Sequence, residues 1–507
     1  MKEIRIDGNS LTIEDVVEVS RKKTPVALTE ASVEKIHRSR KIVDDFVDEE
    51  KVIYGITTGF GKFSDVVISK DEAKQLQKNL IMSHACGVGK PLPEETSRAV
   101  MLLRANALAK GFSGVRLQTI QTLLDMLNKG VHPMIPEKGS LGASGDLAPL
   151  SHMVLVMMGM GEAFYEGRRM SGEEAMTKAG INPIELTSKE GLGLINGTQI
   201  MTAVGTLCFY DAMMLMKSAD IAGAMTLEAL RGIIDAFDLR LHQVRPHAGQ
   251  IHSASNMLKL TEDSQRTTRQ GEIRVQDAYT LRCIPQVHGA SRDALEHIKG
   301  KIEIEINSVT DNPIVFADEK EAISGGNFHG QPMALAFDYL AIAIAELANI
   351  SERRIERLVN PQLSELPAFL TKKGGLNSGL MIAQYSAAAL VSENKVLAHP
   401  ASVDSIPSSA NQEDHVSMGT IGARKAQSIL SNAQSVIGIE LMAAAQAMDL
   451  DKEGNPGRGT GAAYQSLRQH LKPLEDDRVL YDDIQLCTSM VATGQIVKAV
   501  EKEVGEL

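Results

Sequence analysis

Residues 139–150 read Gly-Ser-Leu-Gly-Ala-Ser-Gly-Asp-Leu-Ala-Pro-Leu, a glycine-rich turn followed by an apolar run typical of a buried helix. A serine nucleophile on a sharp strand-to-helix turn requires Gly-x-Ser-x-Gly. Around Ser144, however, Asp146 occupies the position of the second glycine. A phosphate-binding loop requires Lys-Ser or Lys-Thr after its glycines, and neither follows here. Neither common interpretation of a glycine-rich loop therefore fits.

The tripeptide Ala143-Ser144-Gly145 permits another chemistry, in which the backbone closes into a ring. Glycine tolerates backbone conformations that other residues avoid, so a tight bend can bring the Gly145 nitrogen to the Ala143 carbonyl carbon. Loss of two waters would then convert Ser144 into a dehydroalanine inside a five-membered ring. The product, a 4-methylidene-imidazol-5-one, is an electrophile that no encoded side chain provides.

The run from residue 139 to residue 152, which continues the quoted stretch with Ser-His, resembles the signature of the aromatic amino acid ammonia-lyases. The resemblance covers essentially the whole chain. It implies that the electrophile forms autocatalytically, without an external cofactor, and that it promotes loss of ammonia from an amino acid. It also implies a homotetramer whose active sites combine residues of more than one subunit.

The composition indicates a protein that handles small molecules. The 507 residues carry a net charge of -11 with both signs interspersed, which argues against a nucleic-acid-binding surface. The four cysteines have no Cys-x-x-Cys spacing and the thirteen histidines no His-x-x-x-His pair, so we expect neither disulfides nor a metal site. The N-terminus lacks the apolar core of a signal peptide, and the best membrane-span candidate, residues 333–349, contains Asp338 and Glu346. We therefore expect a cytoplasmic protein without a membrane partner.

Helical patterns dominate the chain. Residues 94–110 and 115–129 are amphipathic, and each run is followed by a glycine, the expected helix end. Three later stretches are apolar nearly all round, which is typical of helices buried on every side: 333–350, 380–398 and 417–448. Their excess apolar faces also suggest subunit packing.

The fold class predicted from these patterns is mainly α, with a change of character near residue 200. Residues 1–200 form a mixed N-terminal region that holds the electrophile loop and begins with a short strand ending at Asp7-Gly8. Residues 201–507 form a large central helical bundle and the C-terminal helices.

Loss of ammonia requires removal of a weakly acidic β-proton, and Tyr54 is the candidate base. It begins the run Tyr-Gly-Ile-Thr-Thr-Gly-Phe-Gly, whose glycines predict a loop. A tyrosine with its ordinary pKa of about 10 is a weak base, but a partly ionised phenolate can accept a proton. The run resembles the family motif whose tyrosine is the catalytic acid or base; a tyrosine beside glycine is otherwise more often structural.

A candidate carboxylate clamp lies at Gln276, Tyr279 and Arg282, three residues apart, so that a helical turn would place them on one face. An amide, a phenol and a guanidinium together suit a substrate carboxylate, with about 1.5–3 kcal/mol from the charge-assisted bond. By spacing alone, a solvent-exposed helix face is a better interpretation of these residues than a carboxylate clamp. The resemblance implies contacts to substrate and electrophile, with Arg282 on the carboxylate and Tyr279 in the catalytic group.

Two further glycine-rich motifs resemble family sites. Asn196, within residues 191–198, would lie beside the electrophile and polarise its carbonyl, although asparagine is also a common helix N-cap. Phe328, within residues 325–330, would pack near the ring or the substrate; otherwise it is a simple anchor.

Two positions resemble the histidine branch of the family: His84, and the pair Gln412-Glu413. A carboxylate at Glu413 can accept a hydrogen bond from an imidazole N–H. A phenyl substrate would leave that carboxylate unpaired, at a cost on the order of several kcal/mol. His84 discriminates less, and Glu413 could instead pair with His415. We therefore predict that L-histidine is converted to trans-urocanate and ammonia.

Alternatives remain at this stage. Within the family, the chain could be a tyrosine or phenylalanine ammonia-lyase, or an aminomutase that returns ammonia to the β-carbon. Outside it, the glycine loop could bind anions in a non-catalytic helical assembly. A serine hydrolase is weaker still, because no Ser-His-Asp set can be tied to Ser144.

Overall fold

The computed structural model describes residues 3–61, 66–69 and 72–507 and is 59% helical. The prediction of a mainly α protein is therefore confirmed.

Helices occur along the whole described chain. The first ten are α1 (Ile13–Lys22), α2 (Glu30–Asp48), α3 (Ala73–His84), α4 (Glu94–Ala109), α5 (Leu117–Lys129), α6 (Leu147–Met157), α7 (Gly172–Lys178), α8 (Glu190–Ile195), α9 (Gln199–Ala229) and α10 (Leu239–Gln243). They are followed by α11 (Ala248–Leu260), α12 (Tyr279–Arg282), α13 (Ile284–Glu305), α14 (Gln331–Val359), α15 (Pro361–Ser364), α16 (Met381–Leu397), α17 (Gly419–Leu450), α18 (Arg458–Arg468), α19 (Leu480–Ala492) and α20 (Gln495–Val504). Short 3-10 helices lie at Ile234–Phe237, Ala368–Leu370 and Ser409–Asn411.

The strands are short and form small separate sheets. They are β1 (Ile4–Ile6), β2 (Val26–Leu28), β3 (Val88–Pro91), β4 (His132–Pro133), β5 (Pro136–Lys138), β6 (Glu162–Tyr165), β7 (Arg168–Ser171), β8 (Ile314–Phe316) and β9 (Glu321–Ile323). β1 and β2 pair in parallel, with Ile4 opposite Val26. The other pairings are antiparallel: β3 with β5, β6 with both β4 and β7, and β8 with β9.

The chain forms two compact units, each assembled from separate segments. Unit 1 comprises Met1–Leu207, Lys299–Asp338 and Pro400–Arg424, and unit 2 comprises Cys208–Ile298, Tyr339–His399 and Lys425–Leu507. Every strand of the described residues belongs to unit 1. The predicted division of the chain at residue 200 separates two consecutive sequence regions, and it stays a prediction. The compact units are not consecutive, because two later segments belong to unit 1.

The helix ends follow the sequence signals closely. α4 and α5 are each followed by a glycine with positive φ, +80° at Gly111 and +78° at Gly130, which only glycine adopts readily. α5 begins two residues later than predicted because Arg116 is extended and donates its N–H to the Glu190 carboxylate at 3.0 Å. α14 runs on to Val359, just before Pro361, since proline disfavours helical backbone in the preceding residue.

Two helices, α9 and α14, are long and apolar enough to cross a membrane by length and composition. The sequence pattern had pointed to residues 333–349 within α14, interrupted by Asp338 and Glu346, but not to α9. Within their apolar windows, however, 78% of α9 and 67% of α14 is buried inside the protein. Such burial is typical of the core helices of soluble proteins.

His132 in β4 makes the stability of unit 1 dependent on pH. Its ring is buried beside the Arg98 guanidinium, 3.2 Å from Nη1 to Nε2, and burial lowers the pKa of His132 from 6.5 to about 4. Between these values the folded protein binds fewer protons than the unfolded chain, so stability falls as pH falls from 6.5 to about 4. The loss is on the order of 3 kcal/mol.

We therefore expect the melting temperature of the wild type to fall over this pH range, and His132→Gln to flatten part of that fall. Thermal unfolding followed by circular dichroism at several pH values measures both. An identical pH dependence in the two proteins would contradict the assignment.

Candidate active site

A cavity of about 1070 Å³ lies within unit 1, a volume that suits a small ligand. Seven residues of the predicted site line this cavity: Tyr54, His84, Ser144, Asn196, Phe328, Gln412 and Glu413. The described lining residues include no lysine or arginine, and Glu413 is their one carboxylate.

The turn around Ser144 depends on glycine. Gly142 and Gly145 have φ values of +73° and +72°. A Cβ at Gly145 would lie only 2.2 Å from the Gly197 carbonyl oxygen, so no larger residue fits without moving the backbone. Asp146 N–H donates to the same oxygen at 2.7 Å. The turn is thus held bent at the tripeptide whose ring closure the sequence predicts.

Asp146 anchors this turn, a role that the sequence analysis missed. Its buried carboxylate accepts hydrogen bonds from Ser140 Oγ at 2.7 Å, from Thr420 Oγ1, and from the N–H groups of Ile200 and Met201 at 3.0 and 2.9 Å. Burial raises the pKa of Asp146, and these hydrogen bonds oppose the rise. The sequence shows only that an aspartate stands where a nucleophile elbow has its second glycine.

Ser144 and Glu413 are in direct contact. Ser144 Oγ donates to Glu413 Oε1 at 3.0 Å, and Ser408 Oγ donates to Oε2 at 3.0 Å. The Ser408 N–H also donates to the Glu413 carbonyl at 2.9 Å. Residues 409–411 between them have positive φ values, which tighten the loop. The carboxylate is therefore held with one oxygen on the Ser144 hydroxyl.

Tyr54 lies on the loop that its glycines predict. Its hydroxyl accepts a hydrogen bond from Gly61 N–H at 3.3 Å, and Gly55 N–H donates to Thr58 Oγ1 at 3.1 Å. The ring is half-buried at the cavity wall. A long, weak hydrogen bond leaves this phenol free to exchange a proton with a bound molecule.

His84 ends α3, with Ser83 Oγ 3.1 Å from its Nδ1. Burial lowers the pKa of His84, although the Leu80 carbonyl and the negative charge of Glu413 oppose this. The imidazole is therefore neutral at neutral pH and can donate or accept a hydrogen bond in the cavity.

Asn196 follows the last residue of α8 rather than capping the start of a helix. The buried Arg104 side chain holds its backbone, with Nη1 donating to the Asn196 carbonyl at 2.9 Å and to the Gly193 carbonyl at 3.0 Å. Burial lowers the pKa of Arg104 to about 10. Asn196 Nδ2 donates to the Asn312 carbonyl at 3.3 Å, whereas its buried Oδ1 has no partner within the described residues. Buried polar atoms rarely lack a partner, so the cavity wall has capacity for a polar ligand.

The carboxylate clamp differs from the prediction. Gln276 precedes α12, so it does not share a helical face with Tyr279 and Arg282; this prediction is wrong. The Asp277 carboxylate explains why, because it accepts hydrogen bonds from Ile233 N–H and Arg274 Nε, both at 2.6 Å, and holds this segment extended.

The three clamp residues all belong to unit 2 and line no part of the unit 1 cavity that the structure describes. Gln276 and Arg282 border a separate cavity of about 280 Å³ within unit 2. The Tyr279 side chain is 70% exposed, and the Arg282 guanidinium lies over its ring, 4.6 Å from the centroid.

Asn312 also lines the cavity, a position that the sequence analysis did not predict. Its Nδ2 donates to Ser324 Oγ at 3.1 Å, and its Oδ1 accepts from Gly325 N–H at 2.7 Å. The Asn-Pro pair in residues 310–313 was a usable signal of a structured turn. As for metals, no group of three or more histidine, cysteine, aspartate or glutamate side chains suited to an ion occurs among residues 3–61, 66–69 and 72–507.

The residues present fit a ring formed from Ala143-Ser144-Gly145. Gly145 occupies a position from which backbone contacts exclude any side chain, and the Ser144 hydroxyl has a carboxylate as partner. Such a bend and such an acid–base contact are what ring closure and dehydration of a serine require.

The chain is similar to known proteins over nearly its whole length. A family model described as aromatic amino acid lyase matches residues 11–469. A protein from Alkaliphilus oremlandii (strain OhILAs) named histidine ammonia-lyase is 66% identical over 504 residues, covering 99% of both chains. One of the same name from Caldanaerobacter subterraneus subsp. tengcongensis is 66% identical over 503 residues, with the same coverage.

Solved structures share the fold. Histidine ammonia-lyase from Trypanosoma cruzi has a TM-score of 0.93 at 43% identity, covering 99% of this chain and 96% of the other. Tyrosine aminomutase from Streptomyces globisporus has a TM-score of 0.96 at 39% identity, covering 100% of both. One fold therefore carries both activities, and substrate choice must be argued from side chains.

Proposed function

The chain belongs to the aromatic amino acid lyase family, and from this membership we propose that it converts L-histidine to trans-urocanate and ammonia. It is a carbon–nitrogen lyase of the ammonia-lyase type, as are its full-length relatives. The observation that carries the choice of substrate is Glu413, the one carboxylate among the described lining residues of the cavity. Its Oε1 suits an imidazole N–H, and a phenyl ring would leave this oxygen without a partner once Ser144 has lost its hydroxyl.

We propose that Ala143, Ser144 and Gly145 form the 4-methylidene-imidazol-5-one, without an external cofactor. Once formed, this group supplies the electrophile that activates the substrate for loss of ammonia. The bend at Gly145, where backbone contacts exclude any side chain, supports ring closure at this place.

The other side chains bind the substrate and move its protons. Tyr54 removes the β-proton as a phenolate, while Glu413 and the neutral His84 bind the imidazole ring. Phe328 and Gln412 also line the cavity in which the substrate imidazole would bind. Together these contacts orient the β-carbon toward the tyrosine.

The substrate carboxylate requires a cation that the cavity does not supply from its described lining residues. We infer that Arg282, with Gln276 and Tyr279, comes from another subunit. The exposure of Tyr279 supports this role, because a side chain that is 70% exposed in one chain is available to a neighbour.

Exposed apolar side chains also support a homotetramer. Leu335, Tyr339 and Ile342 lie one turn apart on α14 and are 55%, 44% and 45% exposed. On α16, Ile382 and Tyr385 are 56% and 59% exposed. Exposed apolar side chains at helical spacing along one helix are typical of a subunit interface.

Shared active sites predict complementation between inactive variants. Ser144→Ala and Arg282→Met are each expected to be inactive as homotetramers. Hybrids of the two, made by co-expression, should recover a measurable part of wild-type turnover, because some sites combine an intact Ser144 with an intact Arg282. Activity of the isolated tetramer fraction measures this, with each variant alone as control. A hybrid no more active than its parents would contradict shared sites.

Substrate preference tests the proposed function itself. We expect turnover of L-histidine and at least about a hundredfold lower kcat/KM for L-phenylalanine and L-tyrosine, since a Glu413 oxygen left without a partner costs several kcal/mol. Ultraviolet absorbance of the unsaturated products measures the rates. Turnover of phenylalanine or tyrosine with none of histidine would refute the proposal, and β-amino acid products would identify an aminomutase.

We also propose a cytoplasmic location, without nucleic-acid or membrane partners. The four free cysteines and the absence of large charge clusters support it.

A further inference from the structure

Before any ring closes, the Ser144 hydroxyl already has a specific partner. Its Oγ donates to Glu413 Oε1 at 3.0 Å, across 269 residues of chain. The second carboxylate oxygen is held by Ser408 Oγ at 3.0 Å, and the backbones of Ser408 and Glu413 form an antiparallel bridge. The carboxylate is thus positioned on the atom that must leave when Ser144 is dehydrated.

We propose that Glu413 is the acid–base residue that dehydrates Ser144 during formation of the electrophile, in addition to binding the substrate. This role rests on the proposed function, because it presupposes the ring from Ala143-Ser144-Gly145. It gives one carboxylate two tasks: it matures the site once, and then it recognises the imidazole in every turnover.

The first dehydration does not involve the side chain. The Gly145 nitrogen bonds to the Ala143 carbonyl carbon, and a C=N bond forms between that carbon and the Ser144 nitrogen. The carbonyl oxygen leaves as water with the two hydrogens of the Gly145 and Ser144 amides.

The second dehydration is the step assigned to Glu413. Its carboxylate takes the proton from Ser144 Cα, and the electron pair left on Cα forms the Cα=Cβ bond as the Cβ–Oγ bond breaks. The Glu413 carboxyl then gives this proton to Oγ, which leaves as water. Glu413 ends as a carboxylate, and nothing is oxidised or reduced.

Other titratable groups near the turn are less suited to this step. The oxygens of Asp146 already accept four hydrogen bonds and hold the backbone. Tyr54 and His84 line the same cavity, but within the described residues neither makes a hydrogen bond to Ser144. Among the titratable side chains that the structure describes, Glu413 is the one hydrogen-bonded to Ser144.

The test follows ring formation by the mass of the peptide that contains residue 144, in full-length protein sampled at fixed times after in vitro translation. We expect Glu413→Gln to lose the two waters at least tenfold more slowly than the wild type. Asp414→Asn is the matched control, because it removes the same charge at the next residue. The Asp414 side chain is exposed and does not line the cavity. It should mature at the wild-type rate.

The outcomes separate this role from the proposed function. A wild type that never loses two waters refutes the proposed function. If the wild type loses two waters and Glu413→Gln loses them equally fast, the role of Glu413 in ring formation is overturned. The proposed function is unaffected by that result. If Glu413→Gln does not fold by circular dichroism, Glu413→Asp decides: its shorter side chain withdraws the carboxyl from Oγ, so maturation slowed at least threefold supports the role and an unchanged rate overturns it.

Discussion

Ser144→Ala is expected to lower L-histidine turnover by at least about a thousandfold, a loss of about 4 kcal/mol in transition-state stabilisation. Alanine has no hydroxyl to eliminate, so the methylidene group cannot form. No encoded side chain supplies an equivalent electrophile, so no other residue can replace the ring. The fold should persist, because Glu413 keeps its hydrogen bond from Ser408, and the bond from the Ser144 hydroxyl is lost in the mature wild type as well.

Steady-state kinetics and thermal unfolding on the same preparation separate these effects. Ser386→Ala is a suitable control, since its exposed hydroxyl bonds only to the Ile382 carbonyl within α16. Activity of Ser144→Ala within tenfold of wild type would exclude Ser144 as the source of the electrophile.

Tyr54→Phe is expected to lower kcat by roughly 10²–10⁴-fold, the range typical of a lost general base. The change removes one oxygen, and the bond that this oxygen accepts from Gly61 N–H is long, at 3.3 Å. The loop should therefore stay folded, and the peptide containing residue 144 should still lose two waters. A variant with a mature ring and very low kcat would place the defect in proton transfer.

Kinetics at saturating L-histidine, paired with the peptide mass, make this measurement. Tyr481→Phe serves as control because that side chain is 67% exposed and lies in unit 2. If Tyr54→Phe kept kcat within threefold of wild type, another residue would have to remove the β-proton.

These helices were predictable because the buried face of a helix requires apolar residues at regular spacing in the sequence. α14, α16 and α17 overlap the three predicted apolar stretches, and Gly111 and Gly130 mark helix ends by their positive φ. The make-up of the two compact units was not predictable in the same way. It depends on which distant segments pack together, and residues 299–338 and 400–424 carry no local sign that they belong with the N-terminal part.

Much of the candidate site was also anticipated, since Tyr54, His84, Ser144, Asn196 and Glu413 line one cavity despite their separation in sequence. Glycine-rich motifs pointed to most of these loops. The clamp failed as a helical face because a tertiary contact, the Asp277 carboxylate on Ile233 N–H, overrides the three-residue spacing.

The anchor at Asp146 escaped notice for a related reason. Its partners come from α9 and α17 as well as from Ser140 in its own turn. Only a folded chain shows that an aspartate in the serine motif is a buried hydrogen-bond acceptor.

The mass of the peptide containing residues 143–145, taken from freshly purified and fully active wild-type protein, shows whether the ring is present. We expect a peptide lighter than the encoded one by two waters, with the loss located at Ala143-Ser144-Gly145. An active preparation whose peptide keeps the full encoded mass and an intact serine would contradict it.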